Sequence, residues 1–191
     1  MSAMGVVLLA VRANLLAAVL ALLTLVVYLI VYTPMKRRTS LATLVGAVPS
    51  ALPPLIGWAA SHGTVSVGGA ALFAIVFLWQ IPHFMAIAWL YRDDYRKAGF
   101  PMLSVVEPEG RRSGRQALLY AIALIPVTLV PALVGVSGMV YGVVALVLGI
   151  GLLSLAVRFA IERTDRTARA LFYGSIIYLP LLWIAMIGDK L

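Results

Sequence analysis

The sequence predicts an all-α, polytopic membrane bundle, and three observations lead there. Of 191 residues, 63% are hydrophobic and only 12% charged, with a mean hydropathy of +1.04; a soluble domain carries about 25% charged residues. Six apolar blocks approach the roughly 20 residues that a helix needs to cross the hydrocarbon. No stretch alternates apolar and polar residues as a membrane barrel strand would.

The blocks are residues 15–32, 41–60, 68–91, 116–134, 138–159 and 170–187, read as the six spans of one transmembrane domain. Before them, "MGVVLLAV" at residues 4–11 is apolar but too short to span, at about 12 Å of helix. It reads either as an interfacial stub or as the last turns of a longer helix, with residues 12–14 as its exit turn. The first 20 residues lack a basic leader and are interrupted by Arg12, so no signal peptide is expected. The second block holds Pro49, Pro53 and Pro54 between Gly46 and Gly57. Each removes a backbone donor and favours a bend, which fits either kinked packing or a shaped interior. Pro82, Pro126 and Pro131 add further interruptions.

Charge placement orients the bundle. Linkers 33–40, 92–115 and 162–169, with Arg158 at the last boundary, hold 13 of the 15 basic residues. Arg12 and Lys190 remain for the other side. Short cationic loops stay in the cytoplasm, so the start and the C-terminus are expected outside a bacterial cell membrane. The net charge of +8 then reflects topology and lipid headgroups. No soluble module remains to organise nucleic-acid binding, and no nucleic acid is expected as a partner. Without cysteine, disulfides and thiolate metal sites are excluded. Six of the seven acids, Asp93, Asp94, Glu107, Glu109, Glu162 and Asp165, share the cationic side. Orientation does not require this, and it suggests chemistry on that face.

Four groups could act there or nearby. In "YRDDYRKAG", residues 91–99, Asp93 and Asp94 sit among Arg92, Arg96 and Lys97. Carboxylates supply the oxygen ligands a divalent cation needs, and the cations could hold a diphosphate. Equally, Asp93 and Lys97 are four apart and suit a surface pair. "KRRT" at 36–39 is either a topology anchor or a phosphate-neutralising cluster. Gln80 and His83 lie three apart within an apolar span, where polar groups are costly unless paired. His83 could contact a substrate, ligate a metal or satisfy a neighbouring helix. "ERTDRTAR" at 162–169 reads chiefly as a solvated turn, with substrate contact as the alternative. His62 reads as a surface residue.

Taken together, "VYTPMKRRTSLATLVGAVPSALPPLIGWAA", "WQIPHFMAIAWLYRDDYRKAGFPML" and "EPEGRRSGRQ" closely resemble the haem O synthase (protohaem IX farnesyltransferase) family of intramembrane aromatic prenyltransferases. The resemblance extends over essentially the whole chain. It implies the C-terminal six spans of a nine-helix bundle around an apolar cavity, with two acidic motifs on cytoplasmic loops. Residues 91–99 match the second motif. Tyr91 and Tyr95 stand where the superfamily often has aspartates, which favours porphyrin over quinone precursors as acceptor. Lys36, Arg37 and Arg38 match the basic loop after the family's fourth helix. The first acidic motif is not found, so the resemblance suggests an N-terminally truncated chain, with residues 4–11 as the end of the third helix.

The implied reaction transfers farnesyl from farnesyl diphosphate to a vinyl group of haem b, giving haem O for terminal oxidases. The implied cofactor is Mg²⁺, bridged through diphosphate to Asp93 and Asp94, the implied catalytic and metal-binding pair. Implied substrate contacts are Lys36, Arg37, Arg38, Arg92, Tyr91, Tyr95, His83 and Gln80. Haem A synthase or oxidase assembly proteins are implied partners, besides membrane lipids. The rival readings are prenylation of a quinone precursor or another aromatic acceptor, and a non-enzymatic transport or scaffold bundle.

Overall fold

The protein is described as a computed structural model covering residues 2–190. Among the described residues all regular structure is helical, and six helices are long and apolar enough to cross a membrane. The chain divides into two compact units, residues 1–77 and 78–191, and each is described by itself.

In the first unit, α1 (Ser2–Arg12) is followed after one turn by α2 (Leu15–Val26). Asn14 caps α2, its Oδ1 accepting from the Ala17 amide at 2.9 Å. Its Nδ2 donates to the carbonyl of Ala59 at 2.7 Å, tying the start of α2 to the end of α4 (Ala42–His62). α2 continues into a π-helical segment (Val27–Tyr32) and a short α3 (Thr33–Met35). The Thr33 hydroxyl donates to the Tyr28 carbonyl at 2.8 Å, supporting this wider turn just before Pro34, which has no donor of its own. Tyr32, the last residue of the π segment, has a ring atom only 2.6 Å from where a Cβ on Gly46 would be. Glycine therefore sets the approach of α4.

α4 remains one helix of 21 residues through Pro49, Pro53 and Pro54. The carbonyls of Val45, Pro49 and Ser50 lose the amide partner that a non-proline residue four positions on would supply. His62 is exposed and stacks on Trp58 with ring centroids 4.0 Å apart. The first part of α5 (Val67–Leu90) belongs to this unit. From Ala71 to Leu90 no residue of α5 is exposed. A helix that is apolar all round behaves in this way.

The second unit begins within α5 and continues through α6 (Arg92–Lys97), α7 (Leu103–Val106), α8 (Arg111–Leu133), α9 (Met139–Glu162) and α10 (Asp165–Gly188). Small residues bring the long helices together. A Cβ on Gly114 would meet the Ala160 backbone at 2.8 Å, and one on Gly149 the Ile125 side chain at 3.1 Å. Along α10, Ala168, Leu171, Ser175, Tyr178 and Leu182 are buried at spacings of three and four, the stripe of one helical face. α8 begins at Arg111, five positions before the apolar block at Gln116. The polar "RRSGR" turn extends the helix beyond its apolar part, where hydropathy alone does not register it.

Candidate functional site

In the second unit α5 ends at Leu90, and Tyr91 (φ −106°, ψ 23°) turns the chain into α6. α6 has Asp93 and Asp94 in its first turn and Arg96 and Lys97 in its last, the charge order that complements a helix dipole. Asp93 accepts from Arg96 Nη1 at 2.8 Å, both side chains being more than half exposed. Its partner is thus three residues on, rather than Lys97 at four.

The loop after α6 is pinned back to α5. The buried Ser104 hydroxyl donates to the Ala88 carbonyl at 2.6 Å. Tyr95 meets the ring of Phe100 edge-on at 6.4 Å. Burial pushes the Tyr95 phenol above its ordinary pKa, and the nearby Tyr91 adds to the rise. Tyr95 thus holds its hydroxyl proton to higher pH than an ordinary phenol does.

The turn from α9 to α10 meets this motif. Arg92 Nη1 donates to Asp165 Oδ1 at 2.8 Å and to the Trp89 carbonyl at 2.7 Å. Trp89 Nε1 donates to the same Asp165 oxygen at 3.1 Å. The guanidinium carbon lies 4.9 Å from the Trp89 ring centroid, within cation–π range. Gly110, at φ +72°, leaves room for the Trp89 ring, which any Cβ there would overlap. Thr164 caps α10 in a reciprocal box with Thr167. Residues 162–169 are thus a turn that also anchors the acidic motif.

Most acids now have a local task. Glu107 accepts from the Arg112 amide at 2.8 Å, near the start of α8. Glu109 pairs with Arg111 at 2.9 Å, and Glu162 with Arg158 at 3.7 Å. Asp189 accepts from the Tyr141 amide at 2.7 Å, at the start of α9. Among the described residues, Asp94 is the carboxylate left with neither hydrogen bond nor ion pair, and it is exposed.

Deeper in α5, His83 Nδ1 lies 2.8 Å from the hydroxyl of Ser175 on α10. Its ring stacks on Trp79 and on Phe172, with centroids 5.1 and 5.2 Å away. Gln80 is 2% exposed on the same helix. In the first unit Lys36, Arg37 and Arg38 follow α3, Arg37 and Arg38 exposed. None of the three forms an ion pair among the described residues.

No group of three or more metal-ligating side chains occurs among the described residues. The Asp93–Asp94 pair fits Mg²⁺ in a different way. That ion commonly takes one or two carboxylates and completes its shell with substrate phosphates and water. An exposed, unpaired Asp94 suits that arrangement.

The UbiA prenyltransferase family model matches residues 1–184. The chain belongs to the UbiA prenyltransferase family. Its relatives in this family include Protoheme IX farnesyltransferase of Solibacter usitatus, 52% identical over 177 residues, covering 93% of this chain and 61% of that protein. The protein of the same name from Koribacter versatilis is 46% identical over 184 residues, covering 93% and 59%. The chain thus spans about 60% of the length of these relatives. A solved structure concerning digeranylgeranylglyceryl phosphate synthase superposes with a TM-score of 0.84 at 16% identity, covering 98% of this chain and 66% of that one. At that identity the likeness concerns the fold. A multi-pass UbiA-family bundle is what sequence and structure give together.

Two residues of the site, Trp89 and Ser175, have no functional reading in the sequence, and Asp165 stands there only among the acids of the charged face and its 162–169 turn. For Asp165 the signal was an acid inside the alternating "ERTDRTAR" turn. For Trp89 it was an aromatic one turn before the acidic motif. Ser175 had none, since its partner is 92 positions away.

Proposed function

We propose that this chain takes part in the transfer of farnesyl from farnesyl diphosphate to a vinyl group of haem b, giving haem O and diphosphate. The structural observation behind it is Asp94: an exposed, unpartnered carboxylate on a motif that is otherwise tied down by Arg92 and Asp165. The name of the relatives at 52% and 46% identity, Protoheme IX farnesyltransferase, supports the acceptor and the farnesyl group; the diphosphate donor is what the family resemblance implies.

In this reading Asp93 and Asp94 would hold Mg²⁺, which would supply charge neutralisation for the diphosphate leaving group. Arg92 adds a fixed cation. Both of its hydrogen bonds use Nη1, so Nη2 and Nε keep N–H groups for phosphate oxygens. The sequence resemblance of the basic 36–38 stretch is what supports Lys36, Arg37 and Arg38 as further contacts for phosphate oxygens. Tyr91 and Tyr95 border the diphosphate with hydroxyl donors, and His83 and Gln80 contact the acceptor within the membrane. The C1–O bond of farnesyl diphosphate breaks and C1 bonds to the terminal vinyl carbon. Water adds its oxygen at the other vinyl carbon and releases a proton. The products are hydroxyethylfarnesyl haem, diphosphate and that proton. The motif lies on the cytoplasmic side, as the distribution of basic residues suggests. Proteins that receive haem O, such as haem A synthase or oxidase assembly proteins, are the proposed partners.

The test is product analysis in membranes given haem b, farnesyl diphosphate and Mg²⁺. Two forms are assayed: the chain itself, and a chimera joined to the portion of the Solibacter usitatus relative that it does not cover. Farnesylated haem from the chimera is the expected result. A prenylated quinone precursor instead, or transport without turnover, overturns the proposal.

A further inference from the structure

The Ser175 hydroxyl makes two short contacts with one proton to share. Its oxygen is 2.7 Å from the Phe172 carbonyl oxygen and 2.8 Å from His83 Nδ1. Two oxygens at 2.7 Å need a proton between them, and a carbonyl has none to give. The serine proton therefore lies toward Phe172, and the serine oxygen can only accept from His83. That makes Nδ1 the protonated nitrogen of the ring and leaves the lone pair on Nε2.

The surroundings hold this arrangement. Ser175 is fully buried. Trp79 Nε1 donates to the Ser175 backbone carbonyl at 2.8 Å, so α5 and α10 are joined at this level without the serine hydroxyl. The Trp79 and Phe172 rings lie within 19° and 25° of the imidazole plane and restrict its rotation. The hydroxyl adds what packing cannot: it distinguishes the two ring nitrogens.

We infer that Ser175 is a positioning residue for His83, fixing the Nδ1–H tautomer so that Nε2 is presented as an electron-pair donor on the opposite edge of the ring. Ser175 itself touches no substrate. The tautomer assignment stands on the geometry above, while its importance for turnover rests on the farnesyl-transfer reading.

The chain has two histidines, His62 and His83, so His62→Gln leaves a single imidazole. With ¹⁵N-histidine labelling in detergent at pH 8, NMR reads its tautomer directly. Nδ1 should carry the proton in the parent. Ser175→Ala should move the population toward Nε2–H, and Ser175→Thr, which keeps a hydroxyl, should retain Nδ1–H. In the chimera, Ser175→Ala should lower kcat by about tenfold or more, the scale on which groups that orient a functional imidazole act, and Ser175→Thr should recover most of it. Nε2–H in the parent, or an unchanged tautomer in Ser175→Ala, overturns the assignment. A switched tautomer with unchanged kcat overturns the positioning role. If the tautomers behave as stated and the chimera makes no farnesylated haem, the reaction reading fails and the Ser175–His83 assignment stands.

Discussion

Arg92 and Asp165, 73 positions apart, meet at 2.8 Å with Trp89 between them as donor and as aromatic face. The ion pair is partly exposed, at 28% and 52%, and such pairs contribute about 0–1 kcal/mol. The buried Trp89 N–H matters more, because an unmade bond to a buried donor costs about 1–3 kcal/mol. Asp165→Asn keeps an oxygen acceptor and should change stability by no more than about 1 kcal/mol. Asp165→Ala should cost more than Asp165→Asn. Thermal unfolding in detergent checks this; equal losses would assign the effect to charge.

Gly110 tests the same joint from the other side. Gly110→Ala places a Cβ in the Trp89 ring at φ +72°. The left-handed backbone alone costs about 1–2 kcal/mol for an L-residue, and the ring must also move. A lowered midpoint with a shifted tryptophan emission is expected. An unchanged emission spectrum would show that Trp89 is not held as described.

Asp94 and Asp93 should separate in stability, because only Asp93 has an ion-pair partner. Asp94→Asn should leave stability unchanged, since the carboxylate has no partner to lose, and should lower the farnesyl transfer proposed for the chimera by about 10²-fold, the scale for one preorganised electrostatic group. Asp93→Asn breaks the exposed pair with Arg96, with a stability effect of about 1 kcal/mol or less. Initial rates across a Mg²⁺ titration give the comparison; unchanged turnover in Asp94→Asn would remove it from the site.

Orientation follows from single cysteines, since the chain has none. Cysteine at exposed Arg111 should react only from the cytoplasm, and cysteine at exposed His62 only from outside. Labelling of positions 62 and 111 from one side would reject the span order.

The helices were legible because crossing hydrocarbon imposes length and apolarity on a local stretch, and both can be counted in "ALFAIVFLWQIPHFMAIAWL" without knowing any neighbour. Asp93 and Asp94 stood out for a related reason: charge beside oil is costly enough to call for an explanation. Arg92 was legible as a cation but not as Asp165's partner, and Glu107 as an acid but not as a helix cap. Those roles depend on which turns the bundle brings together. Ser175 lies at the far limit. A hydroxyl in an apolar helix satisfies its own backbone cheaply, so nothing in "LFYGSIIYLP" shows that a ring from another helix accompanies it.

Asn14 bears on how the first unit is made. Its single amide joins the beginning of α2 to the end of α4, 45 positions later. During synthesis that bond has no partner until α4 has left the translocation channel, so insertion of α2 cannot depend on it. Asn14→Ala should therefore enter the membrane with ordinary efficiency and orientation, then fail at a later stage: slower acquisition of protease resistance and faster turnover by membrane quality control. The defect would be one of maturation, visible in a pulse–chase experiment and invisible in a topology assay.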